Sequence, residues 1–154
     1  MNASEIFEKL KARSREDIEF QDSPLLPFIK VKPDSIRNVA DILRNNTDFR
    51  FDSLMCLTTV DNPTNFTIVY LLYSMKHSHK ITLKVETPKD NAVVPSVEKV
   101  WSAANWFERE VYDLFGVRFE GHSNLVRIML PDDWEGHPLK KDYQYPATYR
   151  GVVL

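Results

Sequence analysis

The sequence predicts an α+β fold: a two-layer domain in which helices pack on one face of a mixed, mostly antiparallel sheet. Three stretches have helical periodicity, the stretches between them have the composition and alternation of strands, and the last part of the chain shows neither pattern. Elements grouped in this way are typical of α+β domains. We therefore assign residues 1–130 to a single α+β domain and residues 131–154 to an extended C-terminal tail.

The composition is typical of a globular protein with its own core. The chain has 154 residues, of which 43% are hydrophobic and 27% charged, as in ordinary soluble domains. Its net charge of −2 comes from acidic and basic residues mixed along the chain, so we expect no nucleic-acid partner. The longest apolar stretch, FTIVYLLYSM at 66–75, is about half as long as a membrane helix. The N-terminus does not resemble a signal peptide. We expect a soluble, cytosolic protein that reaches a membrane only through a partner.

The N-terminal segment predicts one helix followed by two short strands. Ser4 is a candidate N-cap, and apolar residues follow it at helical spacing along one face. Residues 17–20 (DIEF) and 27–33 (PFIKVKP) have the composition of strands, and two prolines mark the join between them.

A second helix is predicted over residues 33–46, with Asp34 or Ser35 as its cap. The stretch that follows, SLMCLTTV at 53–60, is almost entirely apolar or small, which favours a central position in the sheet. It contains Cys56, the only cysteine. We interpret Cys56 as a small packed residue of this strand, because no basic neighbour would activate it as a reactive thiol.

Residues 66–74 and 80–87 predict a hairpin, since both have strand-like composition and a polar connection separates them. That connection contains His77 and His79, two residues apart. A metal site would need a third ligand nearby, so we interpret both histidines as part of a solvated turn.

The third helix is predicted to begin with Ser96 as its cap and to run to residue 115, with a break near Asn105. Gly116 is expected to end it, because glycine adopts the left-handed conformation that often follows a helix. Residues 124–130 (NLVRIML) then predict a short strand.

Three charged residues on this helix, Arg109, Glu110 and Asp113, lie at helical spacing opposite an apolar stripe. Arg109 and Asp113 are four residues apart and can pair along the helix surface. Alternatively, the three charges are partly buried and fix the loop that follows. Arg127 lies among apolar residues, where an unpaired arginine would be costly. We therefore expect it to meet one of these acids or a partner chain.

Two further histidines each follow a glycine, His122 in EGHS and His137 in EGHP. With Asp132 and Asp133 they suggest a small metal-dependent hydrolase as a remote alternative. Metal ligands usually lie on rigid elements with supporting hydrogen bonds, whereas these residues flank turns. We interpret both histidines as turn-stabilising. The chain also lacks a nucleophile–base pair, a phosphate-binding glycine loop and a dinucleotide fingerprint, so we predict no catalytic, cofactor-binding or metal residue.

Two neighbouring stretches, EREVYDLFGVRFEGH (108–122) and LVRIMLPDDWEGHPLKKDY (125–143), resemble the signature of the C-type, 30 kDa subunit of NADH:quinone oxidoreductase (respiratory complex I). The chain length and the order of predicted elements also resemble this family, so the resemblance covers essentially the whole chain. The residues that carry the signature, and that we expect to serve an interface, are Glu108, Arg109, Glu110, Tyr112, Asp113, Phe115, Gly116, Gly121, His122, Arg127, Asp133, Trp134, Gly136, His137, Pro138, Lys141, Asp142 and Tyr143.

The resemblance implies a structural subunit of the hydrophilic (peripheral) arm, which supports electron transfer from NADH to quinone without catalytic residues of its own. It implies that NAD, FMN, iron–sulfur clusters and quinone bind to partner subunits. The implied partners are the D-type, 49 kDa-like subunit and the cluster-bearing B-type subunit, on the cytoplasmic side of the cell inner membrane. The aromatic residues of the tail favour docking on such a partner. Related subunits occur in membrane-bound nickel–iron hydrogenases and in complexes with other electron donors, which are an alternative assignment.

Overall fold

A computed structural model describes residues 1–153 of the chain. The elements in chain order are α1 (Ala3–Arg13), β1 (Ile18–Gln21), β2 (Phe28–Val31), a 3-10 turn (Pro33–Ser35), α2 (Ile36–Asn45), β3 (Ser53–Asp61), β4 (Asn65–Ser74), β5 (His79–Pro88), β6 (Val93–Pro95), α3 (Ala104–Phe115), β7 (Arg118–Glu120), β8 (Thr148–Tyr149) and β9 (Val152–Val153).

Five strands form the main sheet, in the order β1-β2-β5-β4-β3. The pairing is antiparallel throughout except between β2 and β5, which run parallel. Along β4 every second residue from Phe66 to Ser74 is buried, whereas the residues between them are only half-buried. The buried side chains join those of the helices in one apolar core, and the α+β fold with a mixed, mostly antiparallel sheet is confirmed.

The hairpin predicted from residues 66–74 and 80–87 is β4 and β5, paired over their full lengths. The central position predicted for residues 53–60 is wrong, because β3 lies at the edge of the sheet and pairs only with β4. One face of β3 is open: Met55 is 60% exposed and Cys56 is half-buried. An apolar run thus marked a strand, but not its number of neighbours.

The predicted helix caps at the first two helices are also wrong. Asn2, not Ser4, caps α1: its Oδ1 accepts the Glu5 N–H at 2.8 Å, and the Glu5 carboxylate accepts the Asn2 N–H at 3.1 Å. Ser35 precedes α2 but makes no capping hydrogen bond, because its hydroxyl donates to the carboxylate of Glu16 instead. A 3-10 turn, which contains Asp34, leads into α2 in place of a side-chain cap.

The third helix begins at Ala104 rather than at Ser96, and turns occupy the residues before it. Gly116 ends the helix in the left-handed conformation (φ 77°), as predicted. The strand predicted over 124–130 is wrong, since that stretch is irregular. A small parallel pair, β6 with β7, forms instead; its strands are three residues long, too short for a recognisable periodicity.

Candidate functional site

Helix α3 carries two fully buried carboxylates, Glu108 and Asp113. At 3.6 residues per turn, a separation of five residues points them in directions roughly 140° apart. Each therefore reaches a different segment of the chain. Both segments lie in the region that carries the sequence signature, so the two carboxylates define the candidate site.

Asp113 fixes the segment that follows β7. Its Oδ2 accepts the backbone N–H groups of Ile128, Met129 and Leu130 at 3.1, 2.8 and 2.9 Å. Its Oδ1 accepts a hydrogen bond from Nη1 of Arg127 at 2.6 Å. Burial opposes ionisation, but these donors together hold the pKa of Asp113 below its usual value. A single ionised side chain thus replaces the strand partner that residues 128–130 lack.

Arg127 connects the end of α3 to the tail. Besides the Asp113 carboxylate, its guanidinium donates to the Asp113 carbonyl at 3.2 Å and to the carbonyls of Trp134 and Gly136, both at 2.9 Å. Arginine suits this position because its planar fork presents several donors in fixed directions. The expectation that Arg127 meets an acid of α3 is confirmed.

Arg109 does not pair with Asp113. Its guanidinium donates to the carbonyls of Val126 and Arg127 at 3.1 and 3.2 Å, and it lies over the ring of Trp106 at 5.1 Å. Arg109 and Asp113 therefore both hold the following loop, as the second interpretation predicted. Glu110 does not, since it is exposed to solvent.

His137 packs against the C-terminal end of α3. Its Nδ1 donates to the Asp113 carbonyl at 2.9 Å, a tautomer that follows from the acceptor. Burial lowers the pKa of His137. A Cβ at Gly116 would lie 2.6 Å from Cδ2 of His137, so the imidazole approaches the backbone closely. The next backbone contact, from the Leu139 N–H to the Leu114 carbonyl at 3.0 Å, continues the attachment.

Glu108 fixes a second segment, the turn before α3. Its carboxylate accepts the Ser96 hydroxyl at 2.6 Å and the Val97 N–H at 2.8 Å. Burial raises the pKa of Glu108 to about 7. The hydroxyl of Ser96, predicted to cap a helix, is used here instead. Sequence reasoning gave Glu108 no separate role, because its partners lie eleven and twelve residues away and no spacing rule connects them.

His122 lies beside Glu108 and beside Glu98, a residue that no sequence pattern singled out. Its Nε2 is 3.5 Å from the Glu98 carboxylate and 3.9 Å from that of Glu108. Glu98 also accepts the N–H and the hydroxyl of Ser123 at 2.6 and 3.0 Å, and the amide of Asn105 at 2.8 Å. His122 and Glu98 together hold the turn at residues 121–124 against α3.

The tail makes contacts with itself and with the sheet. The Lys141 N–H donates to the buried carboxylate of Asp61 at 2.8 Å, a site that Lys89 also pairs with. A Cβ at Gly136 would lie 2.6 Å from the Tyr143 ring. These contacts attach the first part of the tail to the domain.

Further along, Asp133 receives the tail end: it accepts hydrogen bonds from the Tyr149 hydroxyl at 2.7 Å and from the Arg150 guanidinium at 2.9 Å. The ring of Trp134 packs against that of Tyr149, with centroids 5.0 Å apart. Two side chains of the signature face solvent, Lys141 and Asp142. The remaining signature residues, half-buried or at turns, are Tyr112, Phe115, Gly121 and Pro138.

The solvated turn predicted for the hairpin histidines is wrong for His79. His79 is buried: its Nε2 donates to the Phe49 carbonyl at 2.8 Å, and its ring packs on Phe51 with centroids 4.8 Å apart. Burial lowers the pKa of His79. His77 remains exposed and lies against the Thr47 carbonyl at 2.9 Å.

Two further features concern the whole described chain. Within residues 1–153, no three His, Cys, Asp or Glu side chains are grouped in a way that could hold a metal ion. Over the same residues, no helix has the length and apolar character needed to cross a membrane.

The fold is shared with solved chains of a distinct class. It matches the structure of the trypsin-resistant fragment (1–134) of Nqo5, with a TM-score of 0.64 and 26% identity over 81% of this chain and all of that one. It also matches a chain of the membrane-bound sulfane sulfur reductase, an archaeal respiratory membrane complex, with a TM-score of 0.78 and 27% identity over 94% of this chain and 86% of that one.

Sequence comparison narrows the class to one family. Residues 29–149 match the family described as "Respiratory-chain NADH dehydrogenase, 30 Kd subunit". The C-type NADH-quinone oxidoreductase subunit of Chlorobium phaeobacteroides is 40% identical over 88% of this chain and 84% of its own length. That of Chloroherpeton thalassium is 39% identical over 88% of this chain but only 58% of its own length. The chain belongs to the 30 Kd subunit family, and spans little more than half of some relatives.

Proposed function

We propose that this chain is a structural subunit of the hydrophilic arm of NADH:quinone oxidoreductase, without cofactors or catalytic residues of its own. It scaffolds the cluster-bearing and quinone-binding subunits, in particular the D-type, 49 kDa-like subunit and the B-type subunit. The observation that carries the proposal is the junction of Asp113 with Arg127 and residues 128–130. There, the buried charge of the signature holds backbone in place instead of lining a reaction cleft.

The surface outside this junction supports a docking role. Trp106 and Met129 are 63% and 64% exposed, and Val126 and Leu139 are also exposed. Three of these four belong to the segment and tail that Asp113 and Arg127 hold in place. Large apolar side chains in such positions are typical of surfaces that meet another protein.

The tail supports the same role. Tyr145, Val152 and Val153 are 67%, 65% and 80% exposed, and the tail contains little regular structure beyond the two-residue strands β8 and β9. We propose that residues 131–154 dock on a partner subunit and that residues 1–130 form the domain that carries them.

Cofactors and location follow from the same proposal. A single cysteine cannot supply the four thiolates that commonly hold an iron–sulfur cluster. NAD, FMN, the clusters and quinone would bind to partner subunits. The chain would lie at the cytoplasmic side of the cell inner membrane, held there through the complex.

A second assignment rests on a specific observation, the similarity to a chain of the sulfane sulfur reductase complex. An equivalent subunit of a related membrane complex, such as a nickel–iron hydrogenase or a complex with another electron donor, would use the same fold. No contact in the described chain favours the metal-dependent hydrolase: His137 binds the Asp113 carbonyl, and Asp133 binds Tyr149 and Arg150.

The test is purification of the tagged protein from its own membranes in mild detergent, with identification of every chain that co-elutes. Co-elution with cluster-bearing subunits and a flavin-containing NADH-oxidising module supports the proposal. Co-elution with a nickel–iron hydrogenase subunit supports the second assignment. Elution of the chain alone, from membranes that retain NADH oxidation, contradicts both.

A further inference from the structure

The Glu108 carboxylate is buried without a cation to balance its charge. It is fully buried, and its two hydrogen bonds come from the neutral donors of Ser96 and Val97. Within residues 1–153, the only basic group that lies within 4 Å of it is the imidazole of His122, at 3.9 Å. A buried carboxylate without a paired cation favours its protonated form.

His122 does not supply the missing charge. Its Nε2 donates to the Asn105 carbonyl at 3.1 Å, and its Nδ1 accepts the Asn124 N–H at 3.0 Å. Both nitrogens are therefore occupied in the neutral ring. A second proton on Nδ1 would point at the Asn124 N–H, so it would require the turn at 121–124 to open.

The other groups that face Glu108 add no positive charge. Glu98, on the turn before α3, presents a second carboxylate to the same Nε2 of His122, at 3.5 Å. Tyr70, from β4, is completely buried, and its hydroxyl has no hydrogen-bond partner among the described residues. The pKa of Tyr70 is raised well above its usual value by burial and by the charge of Glu108. Two carboxylates, one neutral imidazole and one phenol thus share this region.

We propose that Glu108 is a reversible proton-binding site at the junction of α3, the turn at 96–98 and the turn at 121–124, and that loss of its proton loosens this junction. The proton comes from solvent and binds Oε2. Because one hydrogen occupies the short contact with Ser96, the serine hydroxyl then accepts where it had donated. The Val97 N–H keeps its acceptor in both states, so the turn stays attached while the buried charge disappears.

The charges around the site agree with this assignment. Burial raises the pKa of Glu108 to about 7; the hydrogen bonds from Ser96 and Val97 oppose that rise, and the Glu98 carboxylate adds to it. For Glu98 itself, burial opposes ionisation but the hydrogen bonds from Asn105 and Ser123 keep the pKa low. Glu98 therefore stays ionised while Glu108 takes up the proton.

The test is a pH titration of the isotope-labelled full chain by NMR, which follows the carboxyl carbons of glutamate and the backbone amides of Val97, Ser123 and Asn124. We expect one glutamate carboxyl carbon to titrate with a midpoint near 7, and these amides to shift with the same midpoint. Absence of any glutamate carboxyl that titrates between pH 6 and 8 would overturn the proposal, whether or not any variant folds.

Three variants identify the group. Glu108→Gln should abolish the titration of the three amides and give, at pH 8, amide shifts like those of the unmodified chain at low pH. Glu98→Gln should move the midpoint down, since it removes a nearby negative charge. Glu110→Gln, on the same helix but exposed, is the matched control and should change nothing. Protonation of the His122 ring with the observed midpoint would contradict the assignment to Glu108.

Discussion

Asp113 and Arg127 are joined by a 2.6 Å ion pair in which the carboxylate is fully buried and the guanidinium side chain is 15% exposed. The other carboxylate oxygen accepts three consecutive backbone N–H groups, those of residues 128–130. A helix side chain thus provides what a neighbouring strand would normally provide. This relationship explains why an apolar stretch with strand-like composition remains irregular.

Replacement of Asp113 by Asn should destabilise the chain strongly. The amide cannot accept three backbone N–H groups as the carboxylate does, and it leaves Arg127 without its counter-charge. Loss of one member of a buried pair costs about 3–5 kcal/mol. Chemical denaturation monitored by circular dichroism would measure the change in the free energy of unfolding. Glu110→Gln is the control and should lie within about 0.5 kcal/mol of the unmodified chain; equal effects of the two changes would contradict the role of Asp113.

Much of the fold could be predicted from the sequence, because the periods of helices and strands are local properties. The hairpin of β4 and β5, the helix α2 and the end of α3 at Gly116 follow from such signals. The edge position of β3 depends on pairing between distant segments and left no signal in its own residues. The same holds within the site. Arg127 was expected to meet an acid because an unpaired buried arginine is costly, whereas the partners of Glu108 could not be inferred.

Replacement of Arg109 by Ala should lower assembly of the complex without changing turnover per assembled particle. The guanidinium holds the carbonyls of Val126 and Arg127 and covers Trp106, so its loss should loosen the proposed docking surface. Co-purification yield and NADH oxidation normalised to the assembled complex would measure the two quantities. Arg118→Ala, at an exposed position on β7, is the control. Normal assembly with abolished turnover would contradict a purely structural role.

Two glycines with nearly the same backbone conformation form a matched pair. Gly116 and Gly121 have φ of 77° and 80°, and an alanine in this left-handed region costs about 1–2 kcal/mol. A Cβ at Gly121 meets nothing within 4 Å, whereas at Gly116 it meets His137 at 2.6 Å. Gly116→Ala should therefore destabilise the chain by at least about 1 kcal/mol more than Gly121→Ala.

Denaturation of both variants, and of Gly116→Ala combined with His137→Ala, would check this. The double variant should lose most of the excess, because the shared contact is already absent. Equal destabilisation by the two glycine variants would mean that His137 moves away without cost.

The stability of the chain should depend on pH through Glu108. Its pKa rises on folding from 4.5 to about 7, so between these values the folded chain holds a proton that the unfolded chain releases. This contribution is fully present below pH 4.5 and is lost as the pH rises to about 7, by about 3 kcal/mol in total. Glu108→Gln should remove this slope, so that the variant is more stable than the unmodified chain above pH 7.

The lowered pKa values of His79 and His137 act in the opposite direction. The unfolded chain binds protons there first, so their contribution falls as the pH drops below about 6.5. The difference between the unmodified chain and Glu108→Gln cancels both histidine contributions. Denaturation series at several pH values would give this difference, and a difference that does not vary between pH 5 and 7.5 would contradict the prediction.

Removal of residues 144–154 should separate folding from docking. In the described part of the chain, the side-chain hydrogen bonds of residues 144–153 all end on Asp133, whereas the attachments to the domain are made by Arg127, His137, Leu139 and Lys141. The shortened chain should therefore unfold cooperatively, with a free energy of unfolding within about 1 kcal/mol of the full chain, since the lost ion pair is exposed.

Its co-purification with partner subunits should fall at least tenfold if the exposed Tyr145, Val152 and Val153 dock on a partner, because loss of about 1.4 kcal/mol of binding free energy already has that effect. The control is Asp133→Asn in the full-length chain, which weakens the contact between Asp133 and the tail end but keeps the apolar side chains. An unfolded truncated chain would show that the tail end belongs to the domain core, and unchanged co-purification would show that docking uses the surface around Trp106 instead.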